Sequence, residues 1–150
     1  MAIGDKECSA CGALKPADHF SAAQVRCNKC RASKMKSDAN ASVASYMTKK
    51  LSGVRYRHRK KNNGTEPVKL DHLMALYQQQ GGMCALTGLP MHSTSDESDL
   101  SVSVDRINND LGYEDGNIRL VCARVNLMMN TLDDAHFTWW CRAVVNHIGN

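Results

Sequence analysis

Four cysteines stand where their spacing can do chemistry: Cys8, Cys11, Cys27 and Cys30, in the pattern C-x2-C-x15-C-x2-C. Two thiolates separated by two residues turn toward one ion, and a second such knuckle completes a tetrahedron, so the spacing is that of a structural zinc site. A segment as short and polar as residues 1–37 has little else to hold it together, and Pro16 and Phe20 supply its small apolar centre. Gly12 follows the first knuckle, where a positive φ is often needed. Cys84, Cys122 and Cys141 bring the total to seven, an odd number. The chain opens MAIGDKECSACG, without the apolar run of a secretory signal, and no stretch approaches the 18 apolar residues of a membrane span. A disulfide scaffold is therefore disfavoured. Metal-bound thiolates in a reducing cytoplasm are expected instead, with no membrane association.

A second group of polar residues sits in the last third. Asp105 ends an alternating run, Ser101-Val102-Ser103-Val104-Asp105. Asn117 opens another, Asn117-Ile118-Arg119-Leu120-Val121, and Asn126 lies one turn into a helix over 123–130. Strand, loop, strand and helix make a ββα unit in which these three can converge. Two readings stand at this point. A carboxylate with neutral oxygen ligands suits a hard cation such as Mg²⁺; equally, Asp105 and Asn117 could be turn formers that pin the loop.

The elements that must position these groups follow from periodicity and charge. The net charge of +4 is unevenly spread: residues 41–70 hold eight Lys and Arg against one acidic residue, and residues 71–110 hold one against six. Val43, Tyr46, Met47, Leu51 and Val54 recur at helical spacing, so a basic helix is expected over 38–62, stopping at Asn62-Asn63-Gly64. It ends in Arg55, Arg57, His58, Arg59, Lys60 and Lys61, a cationic run with no acidic residue interleaved. Contact with nucleic-acid phosphates is the reading of that run, and double-stranded DNA the expected partner. Beyond it, Val68-Lys69-Leu70 reads as a short strand. Asp71 reads as the cap of a helix that ends at Gly81-Gly82, and residues 92–100 as a polar loop. Thr131 with Asp134 resembles a capping box opening a last helix to about His147, whose Phe137, Trp140, Cys141 and Val144 read as core. The fold class expected is α+β: a zinc-knuckle module over 1–37, a basic DNA-contacting segment over 38–66, and a ββα core with flanking helices over 67–150.

The run from Val104 to Asn126, VDRINNDLGYEDGNIRLVCARVN, preceded by GGMCALTG at 81–88, resembles the HNH (ββα-metal, His-Me finger) endonuclease superfamily. The likeness is to its phage-type members and to rare-cutting restriction enzymes with N-terminal zinc knuckles, and it spans roughly residues 6–130. The resemblance implies divalent-metal-dependent hydrolysis of phosphodiester bonds in DNA, with one Mg²⁺ or Mn²⁺ held by Asp105 and Asn126, and Asn117 tying the loop to the strands. It also implies a phage or mobile-element origin and a homing, nicking or restriction role. Where the common pattern has a histidine general base after the aspartate, this chain has Arg106, which does not lose its proton. Arg106 is then expected to clamp the scissile phosphate, and Tyr113 or His58 to orient the attacking water. His58 reads equally as a phosphate contact.

The sequence departs a second time from the pattern. Many HNH proteins hold the ββα unit with another zinc on two C-x2-C pairs. Here Cys84 and Cys122 each lack the second cysteine, so both are expected as neutral buried thiols, with Leu86 and Val125 packing in its place. One zinc per chain is the consequence. An enzyme cutting both strands of a palindrome would need a homodimer. A non-catalytic DNA-binding module and a branched-DNA resolvase are the other functions these residues allow.

Overall fold

The computed structural model describes residues 4–39, 41–61, 64–93 and 99–148. Asn62 and Asn63 of the expected helix stop, and most of the loop at 92–100, lie outside the described residues. The chain divides into two compact units, residues 1–41 and 42–150.

In the first unit the knuckles organise everything. Strand β1 (Lys6–Glu7) pairs antiparallel with β2 (Leu14–Lys15). Between them the chain turns through Cys8 to Cys11, closed by the Gly12 N–H on the Cys8 carbonyl at 2.8 Å with Gly12 at φ +67°. A 3₁₀ turn at Ala17–His19 leads to Phe20, and helix α1 (Asn28–Ala39) springs from the second knuckle, its Arg31 N–H bonded to the Cys27 carbonyl. Cys8, Phe20 and Cys27 are the buried centre, with Cys30 packed against them. Helix α1 carries no apolar stripe that would announce it; the knuckle nucleates its first turn.

The second unit begins with α2 (Val43–Lys61). The helix expected over 38–62 starts only at Val43, because Ser42 caps it: the Ser42 hydroxyl accepts the Ser45 N–H at 3.1 Å. This helix is part of the second unit rather than a segment apart, since Tyr46, Met47, Leu51 and Val54 are in its core. Val68-Lys69-Leu70 is not a strand. Val68 is extended and donates its N–H to the Tyr113 carbonyl at 2.8 Å, but Leu70 already opens α3 (Leu70–Gln79), and Asp71 sits in its first turn rather than at its cap. Gly81 and Gly82, at φ +60° and +71°, end α3 as expected; a Cβ on Gly82 would meet the Tyr77 hydroxyl at 3.1 Å.

Strands β3 (Val102–Arg106) and β4 (Ile118–Cys122) form an antiparallel hairpin with Asp105 opposite Arg119 and Val104 opposite Leu120. Alternation puts Val102 and Val104 with Leu120 and Cys122 on one face, in the core with α2 and α3. Ser103, Asp105, Arg119 and Val121 occupy the other face, where α4 (Ala123–Met129) packs through Val125 and Met129. Every residue of β4 is therefore buried.

The last helix, α5 (Asp134–Ile148), differs from expectation twice. Its cap is Asp133, whose carboxylate accepts the His136 N–H at 2.8 Å, so Thr131 is not the cap and Asp134 is free for another partner. Its apolar face is not core either: Phe137 packs against the core, but Trp140 and Val144 are exposed and α5 buries no residue fully. No helix among the described residues is long and apolar enough to cross a membrane.

Candidate functional site

On the α4 face of the hairpin, Asp105 is almost fully buried and does not stand alone. Cross-strand Arg119 donates from Nε to Asp105 Oδ2 at 2.8 Å. The two terminal nitrogens of the same guanidinium bond both oxygens of Asp134, at the N-terminus of α5, each at 2.6 Å. Arg119 is buried too, and the two carboxylates hold its proton still more firmly than usual, Asp134 contributing most. Asp134 is in turn held below the usual carboxylate range by Arg119. Two carboxylates around one guanidinium leave one negative charge, and Asp105 Oδ1 has no hydrogen-bond donor among the described residues. Asn126, one turn into α4, donates from Nδ2 to Ser103 Oγ at 2.7 Å, and its side-chain Oδ1 has no hydrogen-bond partner among the described residues. Ser103 and Asp105 are two residues apart on the same side of β3, so Asp105 and Asn126 share this face without touching.

Asn117, Arg106 and Tyr113 form a second cluster, around the β3–β4 loop. Asn117 is buried and bonds that loop three ways: Nδ2 to the carbonyls of Asn108 and Gly112 at 3.0 and 2.8 Å, and Oδ1 from the Asn108 N–H at 2.9 Å. Arg106 donates to the Asn109 and Leu111 carbonyls and to Asn109 Oδ1. Its guanidinium carbon lies 5.1 Å from the centre of the Tyr113 ring, and that of Arg57 is also at 5.1 Å. Arg57 Nε donates to the Tyr113 hydroxyl at 3.0 Å. Tyr113 is thus buried in contact with two cations. Among the described residues no hydrogen bond joins Asn117 to Asp105 or Asn126; its side-chain bonds all go to the loop.

Helix α2 and the edge of β3 enclose a groove of about 560 Å³. Tyr46, Lys49, Lys50, Gly53 and Arg57 recur along α2 to form one wall, and Ser103 is on the other. Among the described residues three cations and no carboxylate line it, which suits a polyanion. Of the run read as DNA-contacting, Arg55, Arg57, Arg59, Lys60 and Lys61 are all exposed. His58 is not: it continues the Leu51 and Val54 stripe and is buried, with Nε2 bonded to the Thr65 carbonyl at 2.8 Å and Nδ1 unpartnered among the described residues. Its position four residues after Val54 was the signal for that inward orientation.

In the first unit, the sulfur atoms of Cys8, Cys11, Cys27 and Cys30 all lie within 4.8 Å of one another and could hold one metal ion. A tetrahedron of thiolates at about 2.3 Å from zinc places sulfurs about 3.8 Å apart, so the set fits. The surroundings favour the thiolate at Cys8 and at Cys27. The Cys27 backbone N–H bonds Cys8 Sγ at 3.2 Å and, with other donors, pulls that thiol down to about 6. Lys15 donates to Cys27 Sγ at 3.4 Å. Cys30 is pushed up to about 12, first by its hydrogen bond with Cys27 and then by Cys11 and burial.

Cys84 and Cys122 are both buried, Val125 is in the core and Leu86 packs against it. The two thiols differ from each other. Burial pushes Cys84 up, but hydrogen bonds from the Thr87 side chain and from the N–H groups of Cys122, Leu86 and Thr87 together pull it below its ordinary value. Burial and the neighbouring Cys84 push Cys122 up. The half-knuckle thus keeps its thiolate-favouring donors. The four N-terminal cysteines are the only such metal-ligand cluster among the described residues.

Taken together, the site is a ββα hairpin-helix with a buried carboxylate on one face and a cationic groove along its edge. No protein-family model and no curated protein matches the chain. A similar solved structure is that of the rare-cutting HNH restriction endonuclease PacI, 16% identical over 95% of this chain and 94% of that chain, with a TM-score of 0.46.

Arg119 was not singled out from sequence, and Asp134 was read only as part of a capping box, although a charge pair facing across a hairpin was readable in principle. Removing the guanidinium strands buried Asp105. Arg119→Ala is expected to cost about 3–5 kcal/mol in denaturant unfolding. Asp134 is half exposed and is worth less, on the order of 1 kcal/mol for Asp134→Asn. Because its folded pKa is depressed, that contribution is full above about pH 4 and lost as pH falls through the folded value. The stability gap between wild type and Asp134→Asn should therefore close in acid, and a gap that widens there would contradict the pairing.

Proposed function

We propose that the chain is a divalent-metal-dependent DNA endonuclease with its site on the α4 face of the β3–β4 hairpin. One observation carries the reading: the HNH-like motif residues Asp105 and Asn126 share a face of a ββα unit whose edge strand borders a groove of three cations.

The unused oxygens of Asp105 and Asn126, with the negative charge left on the Asp105–Arg119–Asp134 triad, fit a hard cation such as Mg²⁺ or Mn²⁺. Such an ion supplies charge neutralisation at the phosphate and leaving oxygen. Arg119 fixes the Asp105 carboxylate so that Oδ1 stays available. Lys49, Lys50 and Arg57 hold the DNA backbone along the groove, and Arg55, Arg59, Lys60 and Lys61 extend the grip through phosphate contacts that loosen with salt. Tyr113, with its hydroxyl fixed by groove-lining Arg57, is the group best placed to orient the attacking water, because His58 is sealed inside. Arg106 supports the loop that carries Tyr113; reaching a phosphate would require it to leave the loop carbonyls. Zinc on the four N-terminal cysteines holds the first unit.

A second reading, a non-catalytic DNA-binding module, is favoured by one feature: no histidine follows Asp105, and Arg106 is engaged on the loop. Supercoiled plasmid incubated with Mg²⁺ or Mn²⁺ separates the two. Nicked or linear product is expected from wild type, and a loss of about 100-fold or more from Asp105→Asn and from Asn126→Ala, with binding retained. Intact plasmid, linear duplex and four-way junction, all bound but uncut, would establish the binding module. Cleavage by Asp105→Asn at the wild-type rate would sink the site. Arg57→Ala with Lys60→Ala should weaken binding and lower its salt slope by roughly two. Elemental analysis should return one zinc per chain; two would contradict the assignment of Cys84 and Cys122.

A further inference from the structure

Cys84 and Cys122 take no part in the proposed site or in the N-terminal cysteine cluster, yet the fold brings them together. The turn that carries Cys84 is docked on the end of β4. The Ala85 N–H bonds the Leu120 carbonyl at 3.0 Å, and the Gln80 side chain bonds both the N–H and the carbonyl of Leu120, at 3.0 and 2.8 Å. Across that seam the Cys122 N–H donates to Cys84 Sγ at 3.3 Å, and the two side-chain sulfurs are within hydrogen-bond reach of each other. Their surroundings set them apart chemically. Burial pushes the Cys84 thiol up, but the Thr87 side chain and the N–H groups of Cys122, Leu86 and Thr87 outweigh it and favour the thiolate. Burial, then Cys84 itself, push the Cys122 thiol the other way. A thiolate beside a thiol is the arrangement in which one sulfur reacts with an oxidant and the other resolves the product. Cys84 is buried, but Ala85, Thr87 and Gly88 of the same turn are exposed, so it lies directly beneath the surface, where a water-sized reagent can reach it.

We propose that Cys84 and Cys122 are an oxidation site for hydrogen peroxide, closing to a disulfide between the 84–88 turn and the end of β4. Cys84 Sγ attacks one peroxide oxygen. The S–O bond forms, the O–O bond breaks, and the departing hydroxide takes a proton from solvent to become water. Cys122 Sγ then attacks Cys84 Sγ. The S–S bond forms, the S–O bond breaks, and the second hydroxide leaves with the Cys122 proton as water. Two electrons pass from the two sulfurs to the peroxide, and a dithiol returns them. Cys122 is the residue immediately before α4, so the bridge fastens the start of that helix to the turn. The other cysteines are placed differently. Cys141 hydrogen-bonds no thiol among the described residues. The four N-terminal thiols have one another, and are engaged when a metal ion is bound. No residue of the proposed cation site or of the cationic groove takes part in these steps, so the inference does not depend on the nuclease reading.

Peptide mapping of the zinc-loaded full chain tests it, after graded hydrogen peroxide, alkylation of the remaining thiols and digestion with trypsin. The expected product joins the peptide 70–106 to the peptide 120–124 with the loss of two hydrogens, at doses that leave Cys141 free to be alkylated, and dithiothreitol separates the two. Cys122→Ser should stop the reaction at a sulfenic acid on Cys84, captured by a cyclic diketone. Cys84→Ser should leave Cys122 a free thiol at the same dose. The linkage is read on wild type, so poor folding of a variant cannot mask the result. Recovery of Cys84 and Cys122 as free thiols at doses that oxidise Cys141 would overturn the inference. So would a bridge from either of them to another cysteine, or a bridge that forms only in denaturant.

Discussion

The guanidinium of Arg119 is the interaction on which the second unit depends. It is buried between the hairpin, α4 and the start of α5, and a buried cation is tolerable only if its hydrogen bonds are made. Asp105 and Asp134 make them. That requirement fixes three things together: the register in which β3 meets β4, the docking of the α5 N-terminus on the hairpin, and the orientation of the Asp105 carboxylate. A carboxylate held on one oxygen by a buried arginine presents its other oxygen in a defined direction, which a cation ligand needs. The interaction that stabilises the hairpin is thus also the one that would prepare the proposed site.

The β3–β4 loop repeats the logic with neutral groups. Asn117 gives its whole side-chain amide to the loop backbone, and Arg106 adds three more bonds, so an 11-residue connection between the strands is held from inside. Tyr113 is carried on that loop and pinned from α2 by Arg57. A cation–π contact with each of two guanidiniums is favourable only while the like charges stay apart. Arg57 meets that condition by turning its Nε to the hydroxyl while Arg106 turns its donors to the loop. The edge of the cationic groove and the loop are therefore coupled through one aromatic ring.

Local chemistry was legible in the sequence. The cysteine spacing announced the cysteine cluster, and the alternation at 101–105 with the strand pattern at 117–121 announced the hairpin, because both signals are complete within a few residues. Partnership across the chain was not. The pairing of Asp105 with Arg119 depends on strand register, which alternation alone leaves free by steps of two. Thr131 and Asp134 matched a capping pattern, yet Asp133 reaches the free N–H of His136 and releases Asp134 to Arg119. Periodicity identified an apolar stripe on α5 but says nothing about what covers it, so a surface was read as core. His58 was drawn into the site by its cationic neighbours, although its place on the Leu51–Val54 stripe already turned it inward.

The claim at the centre is that Asp105, prepared by Arg119, is a cation ligand. Manganese titration followed by electron paramagnetic resonance, on zinc-loaded protein without DNA, tests it without relying on turnover. Wild type should bind one Mn²⁺ per chain. Asp105→Asn should lose that site, and Arg57→Ala should keep it. Equal Mn²⁺ binding by wild type and Asp105→Asn would contradict the account.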